Sequence, residues 1–355
     1  MVSRLELQPF SLSASSLLGK CKVKRQAQPI MISCFKIICS CKSMANLPHF
    51  IQYQGSKRNL AKQILRFFPK EITRLVEPFA GTAAISVATS ANRITHSFWL
   101  NDLNKPLIEL LELAIEAPNE LADFYQGLWS EQHDDSVAHY FKVRSSFNET
   151  NDPRLFLYLL ARCVKGSVRY NSNGFFNQSP DKRRKGTRPE TMRRNVAGVS
   201  NLLKGKSKFT NLDYREVLEQ IQEGDFIYMD PPYQGVCGNR DSRYLSGINF
   251  DDFVSALEKL NQKNALFAIS YDGKLGDKSF GKVLPKSLNL KKIEIDVGRS
   301  SQSTLLGKKE TTIESLYLSP GLSKSSAVKD FNYIYEKPKQ LKLLEKYGEF
   351  ATITR

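Results

Sequence analysis

The sequence Phe226-Ile227-Tyr228-Met229-Asp230-Pro231-Pro232-Tyr233 decides the fold of this chain. Its first four residues are apolar or β-forming, which is typical of a buried strand in a parallel sheet. Neither proline can continue a central strand, because proline has no backbone N–H for the ladder of hydrogen bonds. The strand therefore ends at Asp230, and the segment that follows lies at its carboxyl end. Open α/β sheets bind ligands at that edge.

The same tetrapeptide, from Asp230 to Tyr233, predicts a particular chemistry. A carboxylate and a free backbone carbonyl, held by two rigid prolines, can accept both hydrogens of an exocyclic amino group. That arrangement directs the nitrogen lone pair toward an electrophile, and the ring of Tyr233 offers a flat face on which a planar base can stack. The alternative is a strand that ends in an ordinary β-turn with proline at its second position, so the motif needs support from its context.

Two earlier strand ends supply that context. Arg74–Glu77 predicts a first strand, and the turn that follows contains Gly81, whose free φ would let the backbone approach a ligand closely. A second predicted strand ends at Asp102, about 20 residues later, where an acid can accept hydrogen bonds from ribose hydroxyls. The alternative for Asp102 is capping of a helix over 105–115. The turn lacks the phosphate-binding glycine–lysine pattern, which argues against ATP and favours a nucleoside cofactor without phosphate.

Together these motifs resemble those of the Dam-like (D12 class) site-specific DNA adenine-N6 methyltransferases. Asp230-Pro231-Pro232-Tyr233 matches the catalytic motif of that family, Glu77–Gly81 matches its cofactor loop, and Phe50–Lys57 resembles its N-terminal cofactor motif. The resemblance covers about residues 47–320. One departure is Ala83, which stands where the family usually has a second glycine. We therefore expect the permissive φ to be absent there, which leaves the loop conformation open.

The resemblance implies an α/β fold: an S-adenosylmethionine-dependent methyltransferase (Rossmann-like) sheet with an inserted, mainly helical target-recognition domain. It implies a catalytic role for Asp230, Pro231, Pro232 and Tyr233. It implies S-adenosyl-L-methionine as the cofactor and no metal. The implied cofactor-binding residues are Tyr53, Lys57, Glu77, Pro78, Phe79, Gly81, Asp102, Asp213, Tyr214 and Asp230.

Three of these roles have ordinary structural alternatives. The resemblance implies that Tyr53 packs on the cofactor and that Lys57 reaches the cofactor carboxylate, but the same residues could be a core tyrosine and a solvated lysine. Asp213 is expected near the cofactor adenine, but aspartate before a helix that starts at Tyr214 also suits an N-cap.

The implied reaction is transfer of a methyl group to N6 of an adenine that is flipped out of double-stranded DNA. The enzyme would serve restriction-modification or act as an orphan methylase, as a monomer, with a possible cognate restriction endonuclease acting on the same site. Two alternatives are an N4-cytosine DNA methyltransferase and a DNA-binding relative that has lost catalysis.

The formal charge of +16 favours a polyanionic partner such as DNA. Arginine, lysine, asparagine and aromatic residues concentrate between residues 169 and 194, where the family places its target recognition. There Tyr170 is a candidate wedge at the base step, and a solvated basic loop is the alternative. The predicted DNA-binding residues are Arg169, Tyr170, Asn171, Asn177, Lys182, Arg183, Arg184, Lys185 and Arg188.

The predicted domain boundaries follow from these motifs. Residues 1–45 are an extension, for which three alternatives stand: a disordered basic arm, a transit peptide, or a start-site artefact upstream of Met44. The methyltransferase domain is 46–115 with 208–320, the target-recognition domain is 116–207, and 321–355 is a tail. We predict helices over 57–68, 120–129, 139–147, 153–165, 214–221 and 251–261, a strand over 265–270, and a terminal antiparallel hairpin formed by 290–297 and 311–318.

The six cysteines predict neither a disulfide scaffold nor a zinc site. Four lie within the first 41 residues, and the spacing of Cys34, Cys39 and Cys41 is not usual for zinc. We expect free thiols, and Cys237 near the catalytic motif to be incidental. No apolar run approaches the roughly 18 residues that a membrane span requires. The family resemblance implies a bacterial or phage-type enzyme that acts on DNA in the cytoplasm.

Overall fold

A computed structural model describes residues 47–232, 248–275, 278–280, 282–299 and 311–324. These residues all belong to one compact unit, Met44–Arg355. Three sets of predictions lie outside the described residues: those for residues 1–45, those for Tyr233 and Cys237, and those for the chain beyond residue 324.

One mixed sheet organises the described chain, with the strand order β3-β2-β1-β4-β5-β8-β7 and the short β6 paired with β5. The first five strands in this order are parallel, β8 runs antiparallel to β5, and β7 in turn pairs antiparallel with β8. The strands are β1 Arg74–Glu77, β2 Phe98–Asn101, β3 Ser207–Thr210, β4 Asp225–Met229, β5 Leu266–Leu275, β6 Lys278–Phe280, β7 Lys291–Arg299 and β8 Thr311–Leu318. The predicted methyltransferase-type α/β sheet and its terminal antiparallel hairpin are confirmed.

The strand order reverses at β1, which lies between β2 and β4. Loops that leave the carboxyl ends of these strands diverge there and open a crevice. Strand β4 is buried on both faces: Phe226 and Tyr228 pack into one hydrophobic cluster, and Ile227 and Met229 into the other. Asp230 follows β4 directly, as predicted, so its carboxyl group lies at the crevice.

Helices cover both faces of the sheet. α8 and α9 supply buried residues to the cluster that contains Ile227, whereas α2, α3, α6 and α7 supply the cluster that contains Phe226. The helices are α1 Ala61–Ile64, α2 Ala84–Ala91, α3 Lys105–Glu116, α4 Pro118–Glu131, α5 Ser136–Thr150, α6 Pro153–Arg162, α7 Pro189–Leu203, α8 Tyr214–Glu219, α9 Phe250–Gln262 and α10 Pro320–Lys324. None of the helices in the described part of the chain is both long and apolar enough to cross a bilayer.

The predicted single helix over 57–68 is wrong. The structure has the four-residue α1 between two short 3-10 turns, Lys57–Asn59 and Leu65–Phe67. Ser56 makes no capping hydrogen bond, because its hydroxyl is paired with the hydroxyl of Thr82 at 3.0 Å. Without a cap, this segment stays close to the glycine turn and does not start a regular helix.

Helix α7 was missed because its first half lies in the basic run. Two signals could have found it: Pro189 occupies the first turn, where proline is favoured, and the buried residues recur at helical spacing. These are Met192, Val196, Val199 and Leu203. Arg193 on this helix pairs with Asp123 at 2.5 Å instead of standing free for DNA.

Residues 116–207 share their hydrophobic core with the sheet. Most of the buried apolar residues of α4, α5 and α6 belong to the same cluster as Phe226, and α7 packs against α2 and α3. Residues 116–207 therefore do not form a separate hydrophobic core. The predicted domain boundaries at 116 and 207 stay a prediction.

Candidate active site

The crevice at the carboxyl ends of β1, β2 and β4 contains a cavity of about 380 Å³. That volume lies in the range of small-molecule sites. Six segments contribute to its wall, together with Tyr170: residues 53–57, 77–85, 102–104, 212–215, 228–232 and 248–252. The described lining has five carboxyl groups and two cationic side chains, so the cavity suits a cationic ligand better than a phosphate. The carboxyl groups belong to Glu77, Asp102, Asp213, Asp230 and Asp252, and the cations to Lys57 and Arg215.

Asp230 lines this cavity and forms an ion pair with Lys57. Its Oδ1 is 2.9 Å from Nζ of Lys57. Burial raises the pKa of Asp230 to about 6, the ammonium of Lys57 lowers it, and the carboxylate of Glu314 raises it. Pro231 and Pro232 continue the wall. At pH 7 and above, Asp230 is therefore mainly an ionised acceptor.

Lys57 is predicted to reach a cofactor carboxylate, and the structure pairs its ammonium with two carboxylates of the protein. The side chain is only 5% exposed, and its ammonium contacts Oδ1 of Asp230 and, at 3.4 Å, Oε2 of Glu314. It also donates to the carbonyl of Gly55 at 3.4 Å. A lysine ammonium has three N–H donors, enough for these three contacts. The alternative of a solvated lysine is wrong, while the cofactor role stays a prediction, because Lys57 also belongs to the lining of the cavity.

Glu77, at the end of β1, has a strongly perturbed carboxyl group. Its Oε1 accepts a hydrogen bond of 2.9 Å from the backbone N–H of Ser86 and a second from the Ser86 hydroxyl. Burial outweighs these two hydrogen bonds and raises the pKa of Glu77 to about 8, and the charge of Asp230 adds to the rise. The group is therefore mostly protonated at neutral pH, and a cation bound beside it would favour its ionised form.

The turn after β1 has two residues with left-handed backbone. Gly81 has φ +52°, as its predicted role requires. Ala83 also has φ +52°, so the expectation that alanine removes the permissive φ is wrong. A left-handed alanine costs about 1–2 kcal/mol. The buried position of Ala83 and the start of α2 directly after it hold the strained conformation in place.

Asp102 joins this turn to the end of β2. Its Oδ2 accepts a hydrogen bond of 2.9 Å from the backbone N–H of Gly81, and its Oδ1 accepts one of 2.9 Å from Asn104. Burial raises the pKa of Asp102 against these two hydrogen bonds. The N-cap of α3 is Asn104, so the alternative of Asp102 as the cap is wrong. Its carboxylate lines the cavity where ribose hydroxyls were predicted to bind.

Aromatic rings form one side of the cavity. The rings of Phe79 and Tyr214 lie 5.3 Å apart between centroids, and the half-buried Tyr53 belongs to the same wall. The hydroxyl of Tyr214 is buried, and no described residue offers it a hydrogen-bond partner. A flat ligand with a polar edge fits beside such a group.

Asp213 caps α8 and also lines the cavity. Its side chain accepts from the backbone N–H of Arg215, and Glu216 completes a capping box. Hydrogen bonds from Arg215 hold the pKa of Asp213 below its usual value. The capping alternative is confirmed, while the cofactor role stays a prediction that this geometry allows, because Asp213 belongs to the lining of the cavity.

A tight hairpin lies between α6 and the basic loop. The backbone N–H of Asn177 donates to the carbonyl of Arg169, and that of Asn171 to the carbonyl of Phe175, both at 2.9 Å. Tyr170 is buried in this hairpin: its ring packs edge-on against Phe176, and its hydroxyl donates to Oδ1 of Asn104 at 3.3 Å. The predicted wedge needs an exposed ring, so this position of Tyr170 contradicts the prediction. Phe175, which sequence reasoning did not single out, is 48% exposed at the hairpin tip.

The basic loop after the hairpin is exposed, and a buried arginine holds it. Lys182, Arg183, Arg184 and Lys185 all face solvent, as do Arg169, Asn177 and Arg188, while Asn171 is half-buried. Arg162 is 1% exposed and donates hydrogen bonds to the carbonyls of Asp181, Arg184 and Ser136. Sequence reasoning missed Arg162. Its position on the apolar face of α6 could have indicated a buried arginine.

Sequence reasoning missed two further residues of the site. Glu314 lies in phase with the buried Leu316 and Leu318 on β8, so its inward position could have been inferred from the two-residue period of the strand. Asn101 is fully buried, and its Nδ2 donates to the carbonyls of Pro78 and Leu212, both at 2.9 Å. Only the packed structure shows that these two loops meet.

The chain is similar to known proteins over most of this region. The family model for the D12 class N6 adenine-specific DNA methyltransferases matches residues 53–297. The Type II methyltransferase M1.LlaDCHI of Lactococcus lactis subsp. cremoris is 26% identical over 284 residues, which are 75% of this chain and 94% of that protein. The retron Ec67 DNA adenine methylase of Escherichia coli is 30% identical over 210 residues, 58% of this chain and 67% of that protein. The DNA N-6-adenine-methyltransferase of Escherichia phage P1 is 28% identical over 62% of this chain, which spans 29% of that relative.

Proposed function

Because the chain belongs to the D12 class N6 adenine-specific DNA methyltransferase family, we propose that it transfers a methyl group from S-adenosyl-L-methionine to N6 of a flipped adenine at one short site in double-stranded DNA. The observation that carries this proposal is the place of Asp230-Pro231-Pro232. The carboxylate follows the central strand β4, lines the cavity beside the glycine turn, and is ionised at neutral pH in contact with Lys57.

The acceptor chemistry follows from Asp230. The exocyclic nitrogen of adenine is a poor nucleophile, because its lone pair is delocalised into the ring. The Asp230 carboxylate and the Pro231 carbonyl accept its two hydrogens, which localises the lone pair toward the cavity. Positioning and fixed charges then lower the barrier, and no covalent enzyme intermediate is required. We expect Tyr233 to stack on the base.

The lining of the cavity fits S-adenosyl-L-methionine. When bound, this cofactor supplies an electrophilic methyl group on a cationic sulfonium. The excess of carboxyl groups over cations suits its positive charges, and Glu77 is the acid placed to pair with its ammonium group. Asp102 would accept hydrogen bonds from the ribose hydroxyls, and Phe79, Tyr53 and Tyr214 would hold the adenine between aromatic faces.

The DNA would lie over the hairpin and the basic loop. The target amine is inaccessible inside a duplex, so the enzyme must extrude the base. Exposed cations at 182–185 suit phosphates, and Arg169 with the amides of Asn171 and Asn177 suits base edges. We propose that the enzyme is a monomer that acts in the cytoplasm. A restriction endonuclease for the same site is a possible genetic partner, since several relatives are named Type II methyltransferases.

The test is methylation-sensitive sequencing of plasmid DNA from methylation-deficient cells that express the chain. We expect modified adenine at one recurring motif. The variant Asp230→Ala should abolish the modification while it still binds DNA, and Asp251→Ala, an exposed acid in the first turn of α9, is the matched control.

Other outcomes of this test each have a clear meaning. Modified cytosine would assign the activity to N4 of the other base with an exocyclic amine. No modification by the wild-type chain, together with no transfer from labelled cofactor to mixed-sequence DNA, would leave a DNA-binding relative without catalysis and overturn the proposal.

A further inference from the structure

Glu314 contacts the machinery of the active site from the antiparallel end of the sheet. Its Oε2 lies 3.4 Å from Nζ of Lys57, whose ammonium also contacts Asp230 at 2.9 Å. The side chains of Asp230 and Glu314 are 22% and 21% exposed, so both are largely shielded from water. One buried ammonium is therefore shared between two carboxylates that are far apart in the chain.

The sheet explains how Glu314 reaches this position. Strand β8 runs antiparallel to β5, so its first half lies at the edge where the parallel strands end, and Glu314 pairs in register with Gly273. The register shifts between Ser270 and Gly273, which marks a β-bulge. The extra residue lies in β5, so the alternation of β8 is unbroken from Glu314 to Leu318. Glu314 shares the face of Leu316 and Leu318, the face on which the Lys57 segment packs.

We propose that Glu314 is a positioning residue for methyl transfer, which shares the Lys57 ammonium with Asp230 and so keeps one aspartate oxygen available to the target amine. This inference rests on the proposed function. The amino group of adenine is a neutral donor and cannot compete with an ammonium for the same oxygen. A second carboxylate on the ammonium weakens that competition, and it gives the three-residue cluster a net charge of −1. That charge suits the positive charge that the reacting nitrogen acquires.

The electrostatics of the cluster support the geometry. Three charged or titratable groups among the described residues face Asp230, namely Lys57, Glu314 and Glu77. Glu314 raises the pKa of Asp230, whereas Lys57 lowers it. Removal of the Glu314 charge should therefore lower the pKa of Asp230, and removal of the Lys57 charge should raise it. If Glu314 had only a structural role in β8, its replacement would leave the pKa of Asp230 unchanged.

The first test needs no enzymatic activity. In protein labelled with ¹³C at aspartate carboxyl groups, the Asp230 signal is assigned by its loss in Asp230→Asn, and its titration is followed by NMR. Glu314→Gln, which is nearly isosteric, should move the midpoint to lower pH, and Lys57→Gln should move it to higher pH. Glu314→Asp, which keeps the charge, should stay closer to the wild type. Glu294→Gln, on the exposed side of β7, is the matched control and should change nothing.

The second test measures single-turnover methylation with saturating cofactor and DNA. Glu314→Gln should lower the plateau rate by about 10- to 100-fold, shift the acidic limb of the pH–rate profile to lower pH, and leave the affinities for cofactor and DNA unchanged. Coincident Asp230 titrations in Glu314→Gln and wild type would overturn the proposal, and so would an unchanged rate. A wild-type protein that methylates nothing would defeat the proposed function, but the NMR titration would still decide whether Glu314 controls Asp230.

Discussion

The backbone N–H of Gly81 donates a hydrogen bond of 2.9 Å to Oδ2 of Asp102. The acid that ends β2 therefore holds the turn that follows β1. The two strands are parallel neighbours with Glu77 opposite Leu100, so their carboxyl ends meet at the same edge. The glycine turn and the predicted ribose acid are thus one unit, and a change in either should disturb the other.

Gly81→Ala should lower both stability and cofactor affinity. The left-handed φ of +52° makes alanine unfavourable by about 1–2 kcal/mol, while an added Cβ would meet no heavy atom within 4 Å. The loss therefore arises from backbone strain, and the turn relaxes away from Asp102. We expect chemical denaturation to show that loss and calorimetry to show about tenfold weaker binding of S-adenosyl-L-methionine.

Gly127→Ala is the matched control for that substitution. Gly127 lies within α4, has no positive φ, and likewise has open space at the position that a Cβ would occupy. Alanine there should be neutral or slightly stabilising, because it favours helix more than glycine does. Equal stability and equal cofactor affinity in the two variants would contradict the strain at Gly81.

Glu77 should make cofactor binding depend on pH. Its pKa is about 8 in the unliganded protein, and an ammonium group pairs only with the ionised form. The affinity for cofactor should therefore rise between about pH 6.5 and 8.5, with release of a proton on binding, and the rise should be absent in Glu77→Gln. Calorimetry in buffers of different ionisation enthalpy measures both quantities. A parallel pH dependence in the two proteins would assign the effect to another group.

The same pKa predicts a trend in folding stability. The folded protein retains a proton on Glu77 up to about pH 8, whereas the unfolded chain loses it near 4.5. The free energy of unfolding of the unliganded wild type should therefore fall, relative to that of Glu77→Gln, as the pH rises from 4.5 to 8, by on the order of a few kcal/mol. Denaturant titrations at several pH values measure the difference. A difference that does not change with pH would contradict the raised pKa.

Arg162→Met should destabilise the protein and weaken DNA binding without changing cofactor affinity. Three backbone carbonyls lose their donor, those of Asp181, Arg184 and Ser136, which costs about 2–4 kcal/mol. The basic loop then loses its fixed position. Arg154→Met is the control, because that arginine is partly exposed and pairs with Asp152 and Glu120 at the surface, where the loss should be below about 1 kcal/mol. Unchanged DNA affinity in a folded Arg162→Met protein would refute the role of this loop.

The four exposed cations at 182–185 should each contribute to the salt dependence of DNA binding. If each neutralises one phosphate, its replacement by alanine reduces the slope of log affinity against log salt by about one. Fluorescence anisotropy at several salt concentrations measures the slope. Lys263→Ala, at the exposed end of α9, should leave it unchanged. A slope that does not change in Arg183→Ala and Arg184→Ala would place the DNA elsewhere.

Phe175 and Tyr170 should respond to substitution in opposite ways. Phe175→Ser removes an exposed ring, so we expect unchanged stability but about tenfold or greater loss of DNA affinity if the ring stacks on a base. Tyr170→Ala removes a buried ring that packs on Phe176, which should cost about 3–5 kcal/mol of stability. A 2-aminopurine at the target position reports base extrusion in each variant. Full extrusion by Phe175→Ser would exclude the hairpin tip as the wedge.

Much of the fold was predictable from local chemistry. Apolar runs that end at Glu77, Asp102 and Asp230 identify three strands, because two prolines, a glycine turn and a strand-ending acid leave few other conformations. Apolar and polar residues alternate over 311–318, and this two-residue period identified the second strand of the final hairpin. Predictions failed where a side chain had a distant partner: a single helix was expected over 57–68, but the hydroxyl of Ser56 just before it pairs with Thr82, 26 residues later.

The active site likewise has features that the sequence predicted and features that only the tertiary structure shows. The residue types and their order determined that Asp230, Glu77, Gly81 and Asp102 line one cavity, since each stands at or just after the carboxyl end of a parallel strand. Only the tertiary structure decided the partner of the Lys57 ammonium, the burial of Tyr170 and the support of the basic loop by Arg162. Those contacts depend on strand order, on a bulge in β5 and on burial in a shared core. None of these is encoded in a single stretch, because desolvation and ion pairing arise only when distant segments pack together.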